Sequence, residues 1–205
     1  MPLFISVKRN ALWENKMRVN SLALFTTVYP EGVNYLKDWF SSVNYQDTSD
    51  FDIWIGCDRL SVEEAQKAMG GRIKATWVIR SGNESPIQFR ERAIREMIEQ
   101  YSEVVFVDSD DILEPSRVSA AQAALQHCDG YGCSMSIISE DGRDLAIEFN
   151  RPQKKSFQDI LLRNNIFGLS NTAYRSEILR KCVPFPKNCV LLDWFIATRA
   201  MNNKA

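Results

Sequence analysis

Two hydrophobic patterns follow each other in turn along the first half of the chain: continuous apolar runs and segments with helical periodicity. Continuous apolar runs that favour strands occur at 21–28, 51–56, 73–79 and 104–107. Between these runs, apolar residues recur every three or four positions, as on one face of an amphipathic helix. This order, strand and helix repeated three times and followed by a fourth strand, predicts a parallel sheet with helices on both faces.

Residues that begin and end helices agree with this interpretation. Ser61 and Glu64 have the spacing of a capping box, and the helix that they open is predicted to stop at the two glycines that begin with Gly70. Pro86 suits the first turn of the helix that precedes the fourth strand.

The second half of the sequence predicts shorter elements, with no repeat and no low-complexity linker between them. In chain order they are a helix at 115–126, a strand at 131–139, a hairpin turn at 140–143, a strand at 144–149, a short helix at 156–163, an edge strand at 169–174, one or two helical turns at 176–181 and a last helix at 191–201.

Composition limits the classes of protein to consider. The chain has 205 residues, enough for one sizeable core, and a net charge of −1, which gives no basic field for nucleic acid. No apolar run approaches the ~20 residues that cross a bilayer, although peripheral membrane contact remains open. Five cysteines without a Cys-x-x-Cys pair and one histidine argue against zinc. Without a signal-peptide pattern, we expect reduced thiols and a cytoplasmic protein.

Carboxylates follow two of the predicted strands. Asp58 comes after the second strand, and Asp108, Asp110 and Asp111 come after the fourth. Because parallel strands end at one edge of a sheet, we expect these side chains to converge there. Acids this close repel one another unless a cation lies among them, and hard divalent cations take oxygen ligands. From this stretch alone, a solvated acidic turn ahead of Pro115 explains the pattern equally well.

These features together resemble the GT-A nucleotide-sugar transferases, glycosyltransferase family 2 in particular, over residues 20–200. The segment Phe106–Pro115 (FVDSDDILEP) is similar to that family's Asp-x-Asp-Asp element. Arg92, sixteen residues before Asp108, matches a family arginine, and Asp193 with Arg199 resembles the element that carries the catalytic base.

The resemblance implies a GT-A-like α/β fold, with a mostly parallel central sheet flanked by helices. The mixed residues ahead of the first strong strand predict an N-terminal extension at 1–18, and the absence of a linker predicts a single domain at 19–205. Within that domain, 19–111 would form a Rossmann-like nucleotide-binding half and 112–205 an acceptor-binding half.

The resemblance also implies the donor contacts. Asp58 would accept a hydrogen bond from the base, typically uracil, and Arg92 would lie near the diphosphate. Asp108 and Asp110 would bind Mg²⁺ or Mn²⁺, with Asp110 as the direct ligand and Asp108 at the ribose or the water shell of the ion. The remaining donor contacts would come from Thr26, Thr27, Pro30, Glu31 and Ser109.

The activity implied is that of an inverting, metal-dependent glycosyltransferase, as in polysaccharide biosynthesis. It would move a sugar from a nucleotide diphosphate, such as a UDP-sugar, to a glycan or a lipid-linked acceptor. Asp193 would deprotonate the acceptor hydroxyl as general base. The alternative for Asp193 is that it caps the last helix.

Departures from the family pattern keep other functions open. The asparagine that the family has after the first strand is replaced in the segment Tyr29–Glu31, Leu192 replaces an acidic partner of Asp193, and the sequence ends soon after that helix. A catalytically inactive nucleotide- or partner-binding protein is therefore the main alternative. A nucleotidyltransferase would show a basic, glycine-rich loop after the first strand, whereas 26–32 has one glycine and no basic residue. A phosphatase using Asp108 and Asp110 would have their strand first rather than fourth.

Overall fold

The computed structural model describes residues 21–149 and 160–203. Within those residues, the central sheet contains six strands. Their spatial order is β3-β2-β1-β4-β8-β5, and a separate hairpin pairs β6 with β7. The strands are β1 Leu22–Val28, β2 Asp52–Cys57, β3 Thr76–Ile79, β4 Glu103–Phe106, β5 Gly130–Gly132, β6 Met135–Ile138, β7 Asp144–Phe149 and β8 Thr172–Arg175. The predicted extension at 1–18 and the predicted helix start at 156 lie outside the described residues.

Helices cover both faces of this sheet. They are a 3₁₀ helix at Pro30–Tyr35 and the α-helices α1 Leu36–Asn44, α2 Val62–Met69, α3 Pro86–Ile98, α4 Arg117–Leu125, α5 Ser176–Cys182 and α6 Leu192–Asn202. Buried side chains of α1, α2 and α4 form one core cluster with the sheet, and those of α3, α5 and α6 form a second cluster with it. Because alternate residues of β1 enter the two clusters, this strand is buried on both faces, which explains its continuous apolar sequence.

The predicted α/β fold with a mostly parallel, helix-flanked sheet is confirmed. β1 pairs in parallel with β2 and β4, and β2 pairs in parallel with β3. The capping box also forms: Ser61 Oγ accepts from the Glu64 amide, and the Ser61 amide donates to Glu64 Oε2 at 2.9 Å. Gly70 ends α2 with φ of 74°, a left-handed conformation that glycine adopts without strain.

Two predictions for the second half were wrong. The segment predicted as an edge strand at 169–174 forms β8, which lies between β4 and β5 and runs antiparallel to both. The single strand predicted at 131–139 divides into β5 in the central sheet and β6 in the hairpin. β8 pairs with β4 and β5, which are both distant from it in sequence, so the local hydrophobic pattern does not specify these pairings.

The parallel register brings three strand ends to one edge of the sheet. The Asp58 amide donates to the Val28 carbonyl at 2.9 Å, and the Val107 amide donates to the Phe25 carbonyl at 3.1 Å. The segments that leave β1, β2 and β4 are therefore neighbours. In the described part of the chain, no helix has the length and apolar character needed to span a bilayer.

Candidate active site

Three carboxylates from the segment after β4 form an acidic cluster at this edge, which we call the acidic rim: Asp108, Asp110 and Asp111. Burial, then the charges of Asp111 and Asp110, raises the pKa of Asp108 to about 6. Desolvation also raises the pKa of Asp111, with a smaller contribution from the charge of Asp110. Carboxylates that perturb one another in this way are common where a protein binds a cation or performs proton transfer.

Ser170, in the loop before β8, holds the acidic rim in place. Its Oγ accepts a hydrogen bond from the Asp108 amide at 2.7 Å, and its hydroxyl lowers the pKa of Asp111 by hydrogen bonding to that carboxylate. The buried Arg117 supports this loop, because its Nη2 donates to the Thr172 carbonyl at 2.9 Å and contacts the Ser170 carbonyl at 3.4 Å. The contact of Ser170 with Asp108 was not predicted from the sequence, since only the insertion of β8 beside β4 brings these residues together.

A second group of charges lies where β1 and β2 end. Arg80 Nη1 is 2.6 Å from Asp58 Oδ1, and Arg59 Nε is 3.6 Å from the same oxygen. Arg59 also pairs with Glu31 at 3.0 Å. Arg59 thus links the predicted residues Asp58 and Glu31, and Arg80 adds a second ion pair to Asp58. Neither arginine was singled out from the sequence.

The two arginines at the start of α3 point to different neighbours. Arg90 Nε donates to Thr27 Oγ1 at 3.3 Å, and its positive charge lowers the pKa of Asp108. Arg92 instead binds both carboxylate oxygens of Glu84, at 2.8 and 2.9 Å, and donates to the Ile79 carbonyl at 2.9 Å. The arginine that acts electrostatically on the acidic rim is therefore Arg90, while Arg92 closes the loop between β3 and α3.

The remaining predicted donor residues differ in accessibility. Thr26 and Ser109 are almost fully buried, and among the residues that the structure describes their hydroxyl oxygens have no hydrogen-bond partner. Pro30 begins the 3₁₀ helix, as its fixed φ allows. Beside it, the Tyr29 hydroxyl donates to Asp110 Oδ2 at 3.4 Å, a contact that the sequence did not predict.

Asp193 lies in the first turn of α6, close enough to the acidic rim for its charge to raise the pKa of Asp108. Its Oδ2 accepts from Asn165 Nδ2 at 2.7 Å and its Oδ1 accepts from the Trp194 amide at 2.8 Å. The N-cap of α6 is Leu191, so the alternative in which Asp193 caps the helix is wrong. Asn165 was not predicted from the sequence as a partner of Asp193.

An open groove of about 990 Å³ adjoins the acidic rim on the side of the β6–β7 hairpin. Its walls include Tyr35, Asp38, Ile112 and Phe149, together with Asp110. The acidic rim therefore faces a space large enough for a small ligand.

The chemistry of the acidic rim fits a divalent cation that arrives with a diphosphate. The described residues contain no group of three or more histidine, cysteine, aspartate or glutamate side chains placed to hold a metal by themselves. Mg²⁺ is usually bound by one or two carboxylates, with phosphates and water completing its shell. Asp110, which is exposed, and the neighbouring Asp108 are suited to that arrangement.

The fold has counterparts among solved structures, although no family profile and no curated protein matches the sequence. S. aureus TarS 1-349 aligns with a TM-score of 0.58 and 19% identity over 89% of this chain and 56% of that chain. The mannosyltransferase PcManGT from Pyrobaculum calidifontis, in complex with GDP-Man and Mn²⁺, aligns with a TM-score of 0.57 and 13% identity over 94% of this chain and 55% of that one. TarS 1-349 in complex with UDP aligns with a TM-score of 0.57 and 19% identity over 89% of this chain and 55% of that chain.

These likenesses identify the fold as that of the GT-A glycosyltransferases. The chain spans little more than half the length of the structures that it matches.

Proposed function

We propose that this protein is a metal-dependent, inverting glycosyltransferase that uses a nucleotide-diphosphate sugar. The observation that carries the proposal is that the acidic rim, Arg90 and Asp193 meet at the carboxyl edge of a GT-A sheet, where open α/β sheets bind ligands. The proposed acceptor is a glycan or a lipid-linked sugar, and for a lipid-linked acceptor we propose peripheral contact with the membrane.

The donor nucleotide would lie across the ends of β1 and β2. Asp58 would accept a hydrogen bond from the base, with Glu31 and Thr27 beside the nucleoside. UDP is the nucleotide that we propose first, and the complexes of the structural neighbours with UDP and with GDP-Man make these two the donors to compare. Arg90 would neutralise the diphosphate, since it already faces both Thr27 and the acidic rim.

Mg²⁺ or Mn²⁺ would be held by Asp110, with Asp108 at its water shell, and when bound would stabilise the charge that develops on the leaving diphosphate. Asp193 would take the proton from the acceptor hydroxyl. The acceptor oxygen then forms a bond to the anomeric carbon while the bond from that carbon to the diphosphate oxygen breaks. The nucleotide diphosphate leaves with that electron pair, and attack from the opposite side inverts the anomeric centre.

Binding is tested by thermal shift with UDP, GDP, CDP and ADP, each with and without MnCl₂. We expect one nucleotide to raise the melting temperature further with Mn²⁺ than without it, because a ligand at 100 times its Kd stabilises the folded state by about 2.7 kcal/mol. Asp110→Asn should remove the Mn²⁺-dependent part of the shift. The matched control is Asp50→Asn, at an exposed position before β2, which should behave as the wild type. Stabilisation by no nucleotide, or an equal shift in Asp110→Asn, would contradict the proposal.

Transfer is tested by the release of nucleotide diphosphate from UDP-sugars and GDP-sugars. Asp193→Asn should abolish release while the Mn²⁺-dependent thermal shift remains, because the amide cannot accept the proton. Turnover that is unchanged in Asp193→Asn would exclude this residue as the base. Nucleotide binding without turnover in the wild type would favour the alternative, a nucleotide- or partner-binding protein without transferase activity.

A further inference from the structure

Tyr29 lies at the end of β1 in a conformation that the following turn fixes. Its backbone is extended, with φ of −149° and ψ of 160°, and its carbonyl accepts from the Gly32 amide at 3.0 Å. The ring lies across Gly32, since a Cβ at that position would be 3.2 Å from Tyr29 Cζ. A glycine in this turn therefore allows the phenol to lie close against the backbone.

This placement directs the Tyr29 hydroxyl toward the acidic rim. The hydroxyl donates to Asp110 Oδ2 at 3.4 Å, and the charges of Asp110, Asp108 and Arg90 all act on the phenol. Tyr29 is the one described residue outside the acidic rim whose side chain is hydrogen-bonded to Asp110.

We propose that Tyr29 is a positioning residue for the cation site, an inference that rests on the proposed function. Its hydroxyl holds Oδ2 of Asp110, which leaves Oδ1 of the same carboxylate to face the cation. Partners that hold a metal ligand in this way typically change metal affinity 10- to 100-fold when they are removed. Tyr29 also precedes the Pro30–Tyr35 helix, so it connects the segment proposed for the nucleoside to the segment proposed for the cation.

The test is a titration with MnCl₂ in the presence of saturating UDP, followed by the electron paramagnetic resonance of free Mn²⁺. Tyr29→Phe should raise the Mn²⁺ concentration for half-saturation about tenfold, while the Kd of UDP without metal stays within twofold of the wild type.

The matched control is Tyr45→Phe, which removes the same atom from a tyrosine that is 80% exposed at the end of α1. It should bind Mn²⁺ as the wild type does. If Tyr29→Phe also matches the wild type within twofold, the positioning role is overturned and the proposed function is unaffected. If Tyr29→Phe weakens UDP binding equally with and without metal, Tyr29 contacts the nucleotide and the positioning role is again overturned. A wild-type protein that binds no Mn²⁺ with any nucleotide diphosphate overturns both proposals.

Discussion

The Glu103→Gln substitution should make the protein more stable at neutral pH. Glu103 begins β4 and is only 3% exposed. Its Oε1 accepts from Gln126 Nε2 at 3.4 Å, while Oε2 is buried and has no hydrogen-bond partner among the described residues. Burial raises the pKa of this carboxyl from 4.5 to about 7, against the opposing charge of Arg175 on the neighbouring strand.

The sign and the size of the effect follow from this pKa. The folded protein binds the Glu103 proton more tightly than the unfolded chain, so the contribution of this group is fully present below pH 4.5 and is lost as the pH rises to about 7. At 1.36 kcal/mol per pKa unit, the loss amounts to about 3 kcal/mol. Glutamine resembles the neutral acid in shape and does not titrate, so the variant avoids this loss.

The assay is thermal unfolding of the wild type and Glu103→Gln between pH 4.5 and 8. For a protein of this size, 1 kcal/mol changes the melting temperature by ~2–4 °C. The difference in melting temperature between Glu103→Gln and the wild type should therefore increase by roughly 6–12 °C from pH 4.5 to pH 8. Glu99→Gln, at a side chain that is 72% exposed, is the matched control and should follow the wild type. Parallel curves for the wild type and Glu103→Gln would refute the argument that burial keeps this carboxyl protonated.

Two further predictions concern α3 and β5. Arg90→Ala should weaken nucleotide-diphosphate binding about tenfold or more, since hydrogen bonds to charged groups contribute ~1.5–3 kcal/mol. Arg92→Ala should leave nucleotide binding unchanged and lower the free energy of unfolding by about 1 kcal/mol, because the ion pair with Glu84 is lost. Isothermal titration measures the binding of both variants, and urea unfolding measures their stability. Weaker binding in Arg92→Ala together with unchanged binding in Arg90→Ala would contradict this prediction. Gly132→Ala should destabilise the fold by ~1–3 kcal/mol, because the new Cβ would lie 2.7 Å from the Phe167 ring, and unfolding at wild-type urea concentrations would show that the ring moves freely.

The sequence was sufficient to predict the parallel part of the fold because its determinants are local. A strand buried on both faces is continuously apolar, as in β1, and a helix start such as Ser61 is specified within one turn. The acids after β2 and β4 were predicted to converge because the direction of parallel strands fixes where their ends lie. Asp108, Asp110 and Asp111 do form one cluster, while Asp58 lies in a separate group of charges with Arg59 and Arg80. The position of β8 was not predicted, because its pairing with β4 depends on residues about seventy positions apart. The contact of Ser170 with the acidic rim was therefore not predicted either.

Arg92 was selected from its spacing to Asp108, whereas in the structure Arg90 is the arginine whose charge acts on the acidic rim. The sequence contained information that distinguishes the positions of these two arginines. Spacing to Asp108 along the chain does not specify which side of α3 an arginine occupies, whereas helical periodicity does. Arg90 precedes the buried residues Ala93, Ile94 and Met97 by three, four and seven positions, so it lies on the stripe that faces the sheet, and Arg92 is about 200° around the helix from it. A charged residue on the core stripe is costly in the middle of a helix. The helix α3 begins at the sheet edge where the strands end. In its first turns, a residue on the core-facing stripe therefore lies beside Thr27 and the acidic rim, as Arg90 does. An arginine at this position is therefore favoured by a negatively charged site.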